Sequence, residues 1–583
     1  MTKRTVYSLL EEAVAAYGDA AALHQPVKGQ YTSYTWPQYR DIVKEIACGL
    51  RSMGISKDDI IGIGSETRAE FYFVDLGVMA NGSTAAALYV NSQPSEQVSA
   101  LRRAGARMIF VEDPKMYKAL QSAGGADLPA AWVLITGLLE GVQTLDEVRA
   151  RGRAAMTEDS EYFERIRLNV DPAQRAILYL TSGATGEPKF VEVAHDALVA
   201  NVDIGKQVID LWPHDCVIAF LPSAHIAQRL GIELIPLRMG VPVYFSEGLA
   251  RMAAEFRSVR PTFFLAPPRV WERIYASVRT EIQKRGGAAQ KLFYLAIGMS
   301  ADAVKLRQEG KSVPLWMQAP LALFDKLVFS KVRARLGGEL TFAVSGAAPL
   351  AKELALFYEA IGMPLHEGFG LTEAGVLTLN LKGQQRIGSI GKALPGVKLK
   401  LADDGELLVS APTLSMGYFN DPAATASTFR EGWLYTGDIA AIDKDGYVSI
   451  TGRKKEIIVS SNGKKIYPSK VEALFKTEPL ISQMVLTGDK QPFIGALFTI
   501  NPAAAETVGD ADAVQKAVKA SVRKANTQLA GYEQIKKFRI LPADFSIEGG
   551  ELTPTMKVRR SRVLDKYADV VASMYASTDD LLS

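Results

Sequence analysis

Short apolar runs separated by amphipathic stretches fill residues 1 to about 450, and only a limited set of architectures accepts that alternation. Ile60-Ile61-Gly62-Ile63, Met108-Ile109-Phe110-Val111, Ala131-Trp132-Val133-Leu134-Ile135 and Thr262-Phe263-Phe264-Leu265 are rich in β-branched or aromatic side chains. Each ends near a polar or proline-containing turn, as buried strands do. Between such runs, apolar residues follow the helical turn, as at Leu198, Val199, Val202, Val208 and Ile209. The pattern predicts an α/β fold. A chain of 583 residues exceeds one ordinary domain. The composition shifts at the charged break Gly452-Arg453-Lys454-Lys455-Glu456, which places a boundary between a large unit, 1–451, and a smaller one, 452–583.

Charge and cysteine content narrow the function classes. The 67 basic and 64 acidic residues leave a formal charge of +3. That near-balance argues against nucleic acid as a partner, because phosphate-binding surfaces carry a pronounced basic excess. Local clusters, Lys536-Lys537-Phe538-Arg539 and Arg559-Arg560, leave peripheral contact with a membrane open. Cys48 and Cys216 stand far apart, which excludes a disulfide framework and fits a reducing compartment such as the cytoplasm. The start of the chain reaches Glu11-Glu12 without the apolar core of a secretory signal, and no run approaches the roughly 20 apolar residues of a membrane span. His24, His195, His214, His225 and His366 show no metal-ligand spacing with the cysteines, so zinc chemistry is not expected.

The most informative segment runs Leu178-Tyr179-Leu180-Thr181-Ser182-Gly183-Ala184-Thr185-Gly186-Glu187-Pro188-Lys189. An apolar strand enters a small, hydroxyl-rich loop that ends at a lysine. Glycines let backbone N–H groups converge on an anion, hydroxyls add donors, and the ammonium supplies a point charge. An ordinary strand-to-helix turn uses similar residues. The loop is not a Walker loop, since Lys189 follows proline rather than glycine.

This loop resembles the signature loop of the adenylate-forming superfamily, the AMP-dependent synthetases and ligases, and further matches follow in order. Ser345-Gly346-Ala347-Ala348-Pro349-Leu350 resembles the adenine-side segment, and Gly368-Phe369-Gly370-Leu371-Thr372-Glu373 the aromatic-Gly-x-Thr-Glu motif. Tyr435-Thr436-Gly437-Asp438 ends a Tyr-x-Thr-Gly-Asp-like segment, Gly452-Arg453-Lys454-Lys455 occupies the hinge position, and Thr553-Pro554-Thr555-Met556-Lys557 that of the C-terminal catalytic lysine. The resemblance implies a large multi-subdomain N-terminal adenylation domain and a small mobile α+β C-terminal domain. The implied activity is an ATP-dependent acid–CoA ligase, with Mg2+ and coenzyme A, that forms an acyl-adenylate and then acyl-CoA.

The same resemblance assigns roles. Thr181, Ser182, Gly183, Thr185, Gly186 and Lys189 would hold the pyrophosphate portion of ATP. Gly346, Ala347, Phe369 and Gly370 would face the adenine, Asp438 the ribose hydroxyls, and Arg453 the ribose or phosphate side. Thr372 would donate to the α-phosphate and Glu373 would help hold magnesium. Lys557 would bridge the substrate carboxylate and the α-phosphate, with Lys455 as the hinge. His225, in Leu221-Pro222-Ser223-Ala224-His225-Ile226-Ala227-Gln228-Arg229, resembles a long-chain synthetase segment that lies near the acyl carboxylate; a purely structural histidine is the competing reading. His195 reads as structural, orienting the following helix.

Two departures stand out. Ala184 replaces a threonine of the phosphate loop, and Phe190 replaces its closing glycine. A lost charge-assisted hydrogen bond there is worth about 1.5–3 kcal/mol. Pro267-Pro268-Arg269-Val270-Trp271-Glu272-Arg273-Ile274 also points to the long-chain fatty-acid branch. Medium-chain or aryl acids stay open, as does an acyl-AMP ligase that loads a carrier protein. The sequence does not state an oligomeric order.

Overall fold

The computed structural model describes residues 4–181, 188–576 and 581–582. Two large sheets share one core in the N-terminal part. In the first, Ile60–Gly64 pairs in parallel with Thr84–Ala87 and Met108–Val111. Ala131–Leu134 and Arg175–Leu180 extend that parallel set on its two sides. The central strands are buried on both faces, which is why their sequences are continuous apolar runs rather than alternating ones. Phe190–Ala194 then turns back antiparallel on Arg175–Leu180, so the phosphate-loop segment connects two paired strands.

The second sheet runs in the order Lys392–Ala393, Gly375–Leu379, Leu365–Leu371, Phe342–Ser345, Phe263–Ala266, Val217–Ala219, Val243–Phe245, Ala21–Val27, Gln30–Thr35. Its middle is parallel, whereas Leu365–Leu371 and Gly375–Leu379 form an antiparallel turn that carries Thr372 and Glu373 at its tip. Helices such as Trp36–Ser52 and Ala69–Asn81 cover the sheets. Thr35 starts the first of these with a reciprocal cap: its hydroxyl accepts from the Gln38 N–H, and the Gln38 side chain accepts from the Thr35 N–H.

A smaller antiparallel sheet, built around Trp433–Ile442, joins Glu406–Ser410 on one edge to Val448–Arg453 on the other. Gly452 and Arg453 therefore still belong to a strand, and the chain leaves this sheet at the 3-10 turn Lys454–Glu456. Beyond it, Ile481–Thr487, Ile494–Ile500 and Ile535–Ile540 form a three-stranded sheet with helices Ala511–Asn526 and Ala568–Tyr575. The two apolar cores of this part draw only on residues from Ile458 onward. The architecture is the α/β one expected, a large N-terminal domain followed by a smaller C-terminal one.

Four expected elements shift by a residue, the Ile60 strand first, which extends to Gly64. The Thr262 strand begins at Phe263 and ends at Ala266, and the Thr262 hydroxyl accepts from the Cys216 N–H at 3.0 Å. The strand at Ala131 ends at Leu134 rather than Ile135. The helix expected around Leu198 runs His195–Val208.

Candidate functional site

A cleft of about 2270 Å³ separates the N-terminal domain from the C-terminal one. Its lining includes Thr181, Lys189, His225, Gly346, Ala347, Phe369, Gly370, Thr372, Glu373, Asp438, Arg453, Lys455 and Lys557. Residues more than 300 positions apart are thus brought to one space. Ser182, Gly183, Thr185 and Gly186 lie outside the described residues, as does Ala184.

The two ends of the segment 181–189 are tied together. The Thr181 N–H donates to the Lys189 carbonyl, and the Lys189 N–H donates to the Thr181 hydroxyl, each at 2.8 Å. The Lys189 ammonium lies 2.8 Å from Asp421 and over the Tyr418 ring. The Tyr418 hydroxyl in turn donates to Glu373 Oε1 at 2.8 Å. One network therefore joins the loop lysine to the acidic residue of the Thr372-Glu373 turn. Phe190 opens its strand with its ring buried, and the Arg103 guanidinium lies over it at 5.7 Å. A bulky side chain fits there because it completes a core rather than facing the loop.

The turn itself is held from below. Asn201 Oδ1 accepts from the Val376 N–H at 3.1 Å, and Gly375 sits at φ +67° directly against that amide. A Cβ at Gly375 would meet Asn201 Nδ2 at 2.3 Å, so only glycine fits. Gly370 is likewise confined, with the Gly375 carbonyl 2.5 Å from any added Cβ. In the loop after Phe342–Ser345, Ala347 adopts φ +69°, and both it and Phe369 line the cleft.

Asp438 is almost fully buried. Its Oδ1 meets Arg453 Nε at 3.0 Å, and its Oδ2 is buried without a hydrogen-bond partner among the described residues. Burial raises its pKa, Arg453 opposing, so the free oxygen is an acceptor awaiting a donor. Thr436 positions the backbone by accepting from the Asp438 N–H while donating to the Leu407 carbonyl. Lys454 pairs with Glu406 at 2.9 Å and with Asp404, which fixes the exit from the sheet just before Lys455.

Lys557 sits in a tight hairpin. The Thr553 N–H donates to the Lys557 carbonyl at 2.8 Å, the Thr553 hydroxyl accepts from the Lys557 N–H at 3.0 Å, and Met556 takes φ +64°. Asn91 of the N-terminal domain donates to the Pro554 carbonyl at 3.0 Å and pins this hairpin over the cleft. Burial and then Arg453 lower the Lys557 pKa to about 8, with Asp438, Glu373 and Glu456 acting in the other direction. His225 caps a short helix, its Nδ1 accepting from the Ala227 N–H. Burial and the Lys557 charge lower its pKa to about 3, so it is a neutral imidazole at pH 7. His195 is buried away from the cleft and accepts from the Val6 N–H, a structural role.

Several contacts were not visible in the sequence. Arg269 donates to the Ser482 carbonyl at 2.7 Å and to its hydroxyl at 3.1 Å, and Lys476 approaches Glu272 at 3.7 Å, so helix Pro268–Arg285 grips the C-terminal domain. Trp271 anchors that helix, its Nε1 donating to the Ala266 and Val344 carbonyls. Glu367 lines the cleft almost fully buried, accepts from the Leu350 N–H, and burial raises its pKa to about 8. Ile458–Val459 and Lys465–Ile466 pair as a two-stranded ribbon, and residues 460–468 are not among those lining the cleft. Beneath the cleft, a π-helical turn, Arg229–Leu234, buries Arg229 against Asp75 and presents Leu230 and Gly231 to the cavity. With Ile226, Ile235, Phe263 and Leu265 they form an apolar portion of the lining.

Comparison with known proteins identifies the family. A profile of the AMP-binding enzyme family matches residues 10–419, and one of the AMP-binding enzyme C-terminal domain matches residues 455–579. The chain is similar to the long-chain-fatty-acid–CoA ligase FadD15 of Mycobacterium tuberculosis, 34% identical over 94% of this chain and 93% of that one. It is also similar to the long-chain-fatty-acid–CoA ligase ACSBG1 of Rattus norvegicus, 28% identical over 98% and 85%. Among solved structures, the adenylation domain of a carboxylate reductase from Mycobacterium chelonae superposes with a TM-score of 0.78 at 21% identity, over 98% of this chain and 91% of that one. The anthranilate CoA ligase AuaEII in complex with anthranoyl-AMP gives 0.74 at 19% identity, over 98% and 99%.

Proposed function

This chain belongs to the AMP-binding enzyme family, and on that premise we propose that it is an ATP-dependent acid–CoA ligase whose substrate is a long-chain fatty acid. The observation that carries the reading is that Lys557, from the C-terminal domain, lines one cleft with Thr372, Glu373 and Asp438 from the N-terminal domain. The substrate carboxylate attacks the α-phosphorus of ATP, and the bond to pyrophosphate breaks. Two anions must approach, so the site needs cations and donors more than a base. Lys189 and the loop it closes hold the departing pyrophosphate, Thr372 donates to the α-phosphate, and the Lys557 ammonium lies between α-phosphate and carboxylate. The orphaned Asp438 Oδ2 suits a ribose hydroxyl donor. Phe369 offers a face to the adenine, with Gly346, Ala347 and Gly370 leaving room beside it.

Mg2+ fits as a companion of the triphosphate. No cluster of three acidic, histidine or cysteine side chains that could hold a metal alone is present among the described residues, whereas Glu373 keeps one oxygen beyond its Tyr418 bond. The ion would neutralise phosphate charge. The chain's own groups then orient the reacting atoms.

In the second step the CoA thiol attacks the acyl-adenylate carbonyl and AMP leaves. Lys557 must withdraw for this, and the boundary we assign, 1–451 and 452–583 with Lys455 at the pivot, supplies the motion. Support comes from the separate cores beyond Ile458 and from an interface of a few polar contacts, Arg269 to Ser482 and Asn91 to Pro554 among them. The apolar lining around Gly231 and Leu265 suits an aliphatic chain. The unpaired Cys48 and Cys216 suit a reducing compartment such as the cytoplasm.

The test is an assay of purified protein with ATP, Mg2+ and a panel of aliphatic and aryl acids, with and without CoA. Release of AMP and formation of acyl-CoA, dependent on CoA and strongest with long-chain acids, is expected. Acyl-adenylate accumulating regardless of CoA would point to carrier-protein loading instead, and turnover confined to aryl or shorter acids would overturn the chain-length assignment.

A further inference from the structure

Helices Gly287–Gln308 and Leu315–Phe324 pack against each other on the N-terminal domain. Their inner faces are accounted for: Phe293, Ala296 and Phe324 are buried in one core with Phe256 and Trp271, and Met317 is buried as well. The outer faces are apolar as well. Leu315 is 83% exposed and Trp316 69%, and Leu295, Leu323 and Leu327 join them in solvent. Scattered surface leucines need no explanation, but a helix apolar on both sides normally buries both.

The charge around this face is one-sided. Residues 284–335 contain ten lysines and arginines against three acidic residues, in a chain whose totals are nearly balanced. Arg285, Lys305, Lys311, Arg333 and Arg335 have carboxylate partners. Lys284, Lys291, Lys326 and Lys331 are exposed and make no ion pair among the described residues. We propose that the outer face of this helical pair is a docking surface for an anionic lipid bilayer. Leucines and a tryptophan at the tip enter the interface between headgroups and acyl chains, and flanking lysines lay their stems along it with their ammonium groups at the phosphates. A second copy of the chain is a poor occupant. A two-fold contact would bring one strongly basic face against its own copy. The inference concerns binding and does not depend on the ligase reading. If that reading holds, the surface brings the cleft to where water-insoluble acids reside.

Co-sedimentation with vesicles tests it. The full chain is expected to bind vesicles of phosphatidylcholine mixed equally with phosphatidylglycerol, to ignore phosphatidylcholine alone, and to be released by salt. Lys326→Ala with Lys331→Ala should weaken binding roughly 30-fold, about fivefold per lysine. Leu315→Ser with Trp316→Ser should weaken it comparably. Lys516→Ala with Lys519→Ala, on the exposed side of helix Ala511–Asn526, should change nothing. The proposal falls if the wild-type chain ignores anionic vesicles, or if the Lys516/Lys519 pair loses binding as much as the Lys326/Lys331 pair. It falls too if light scattering finds a dimer that the Leu315/Trp316 variant splits, because a second copy would then cover the face. None of these readings requires turnover, so a failed ligase assay leaves them intact.

Discussion

Replacing Lys557 with alanine should separate two quantities that usually fall together, activity and stability. Burial and Arg453 hold its pKa at about 8, below the ordinary 10.5. Each unit is about 1.4 kcal/mol, so burial and Arg453 disfavour the ammonium by roughly 3 kcal/mol, reduced to about half by residual solvent screening. The sign is that of a lysine with a lowered folded-state pKa. The penalty is present at pH 7, where folded and unfolded chains both carry the charge, and is relieved as pH rises from about 8 toward 10.5. With ATP and acid bound the balance reverses. Two unit charges about 4 Å apart at an effective dielectric of about 20 attract by about 4 kcal/mol, equivalent to roughly a thousandfold in rate. Lys557→Ala should therefore slow ATP–pyrophosphate exchange by about that factor, while its thermal midpoint at pH 7 does not fall. CoA transfer from supplied acyl-adenylate should stay within a few-fold of wild type. Equal loss in both half-reactions, or loss of exchange accompanied by a lower midpoint, would refute the assignment of Lys557 to the first step.

Four further outcomes follow from the same geometry. Lys455→Pro should slow CoA transfer more than exchange, because it stiffens the pivot and leaves in place the groups assigned to the first step, Thr372, Glu373, Asp438 and Lys557; stopped-flow measurement of each half-reaction checks this. The kcat/KM for ATP should decline above about pH 8 as Lys557 loses its proton, and Arg453→Ala, which removes a neighbouring cation, should move that bend upward in a pH–rate profile. Gly231→Leu should cut kcat/KM for long acids at least tenfold while sparing short ones, since even a Cβ there meets Leu265 Cδ2 at 2.6 Å; a chain-length series reads it. Arg229→Met should cost about 3–5 kcal/mol in urea unfolding by stranding buried Asp75, and adding Asp75→Leu should recover most of that.

How much of this was legible in the sequence depends on whether a feature is local. The strands Ile60–Gly64 and Met108–Val111 were, because a strand buried on both faces must be an unbroken apolar run. The motif residues were also legible as candidates, since the backbone of a phosphate loop or a Gly-rich turn restricts which residues fit. Partners were not. Nothing in the spacing joins Lys189 to Asp421, Arg269 to Ser482 or Asn91 to Pro554, because each pair is set by packing between distant segments. Glu367 was passed over for the opposite reason: a glutamate reads as a surface residue, and only burial raises its pKa to about 8. Asp438 shows what each source contributes. Its place in Tyr435-Thr436-Gly437-Asp438 distinguishes it from an ordinary turn aspartate, but it does not explain why the chemistry needs a carboxylate there. The explanation is geometric. One oxygen is held by Arg453 and the other is buried with no donor, so Asp438→Asn keeps the shape but offers an uncharged amide in place of a charged acceptor. Burial that strands an acceptor costs stability in the empty protein, and that cost is recovered only when a ligand brings the hydroxyl. An unsatisfied oxygen facing a cleft is therefore a mark of binding that sequence periodicity cannot carry.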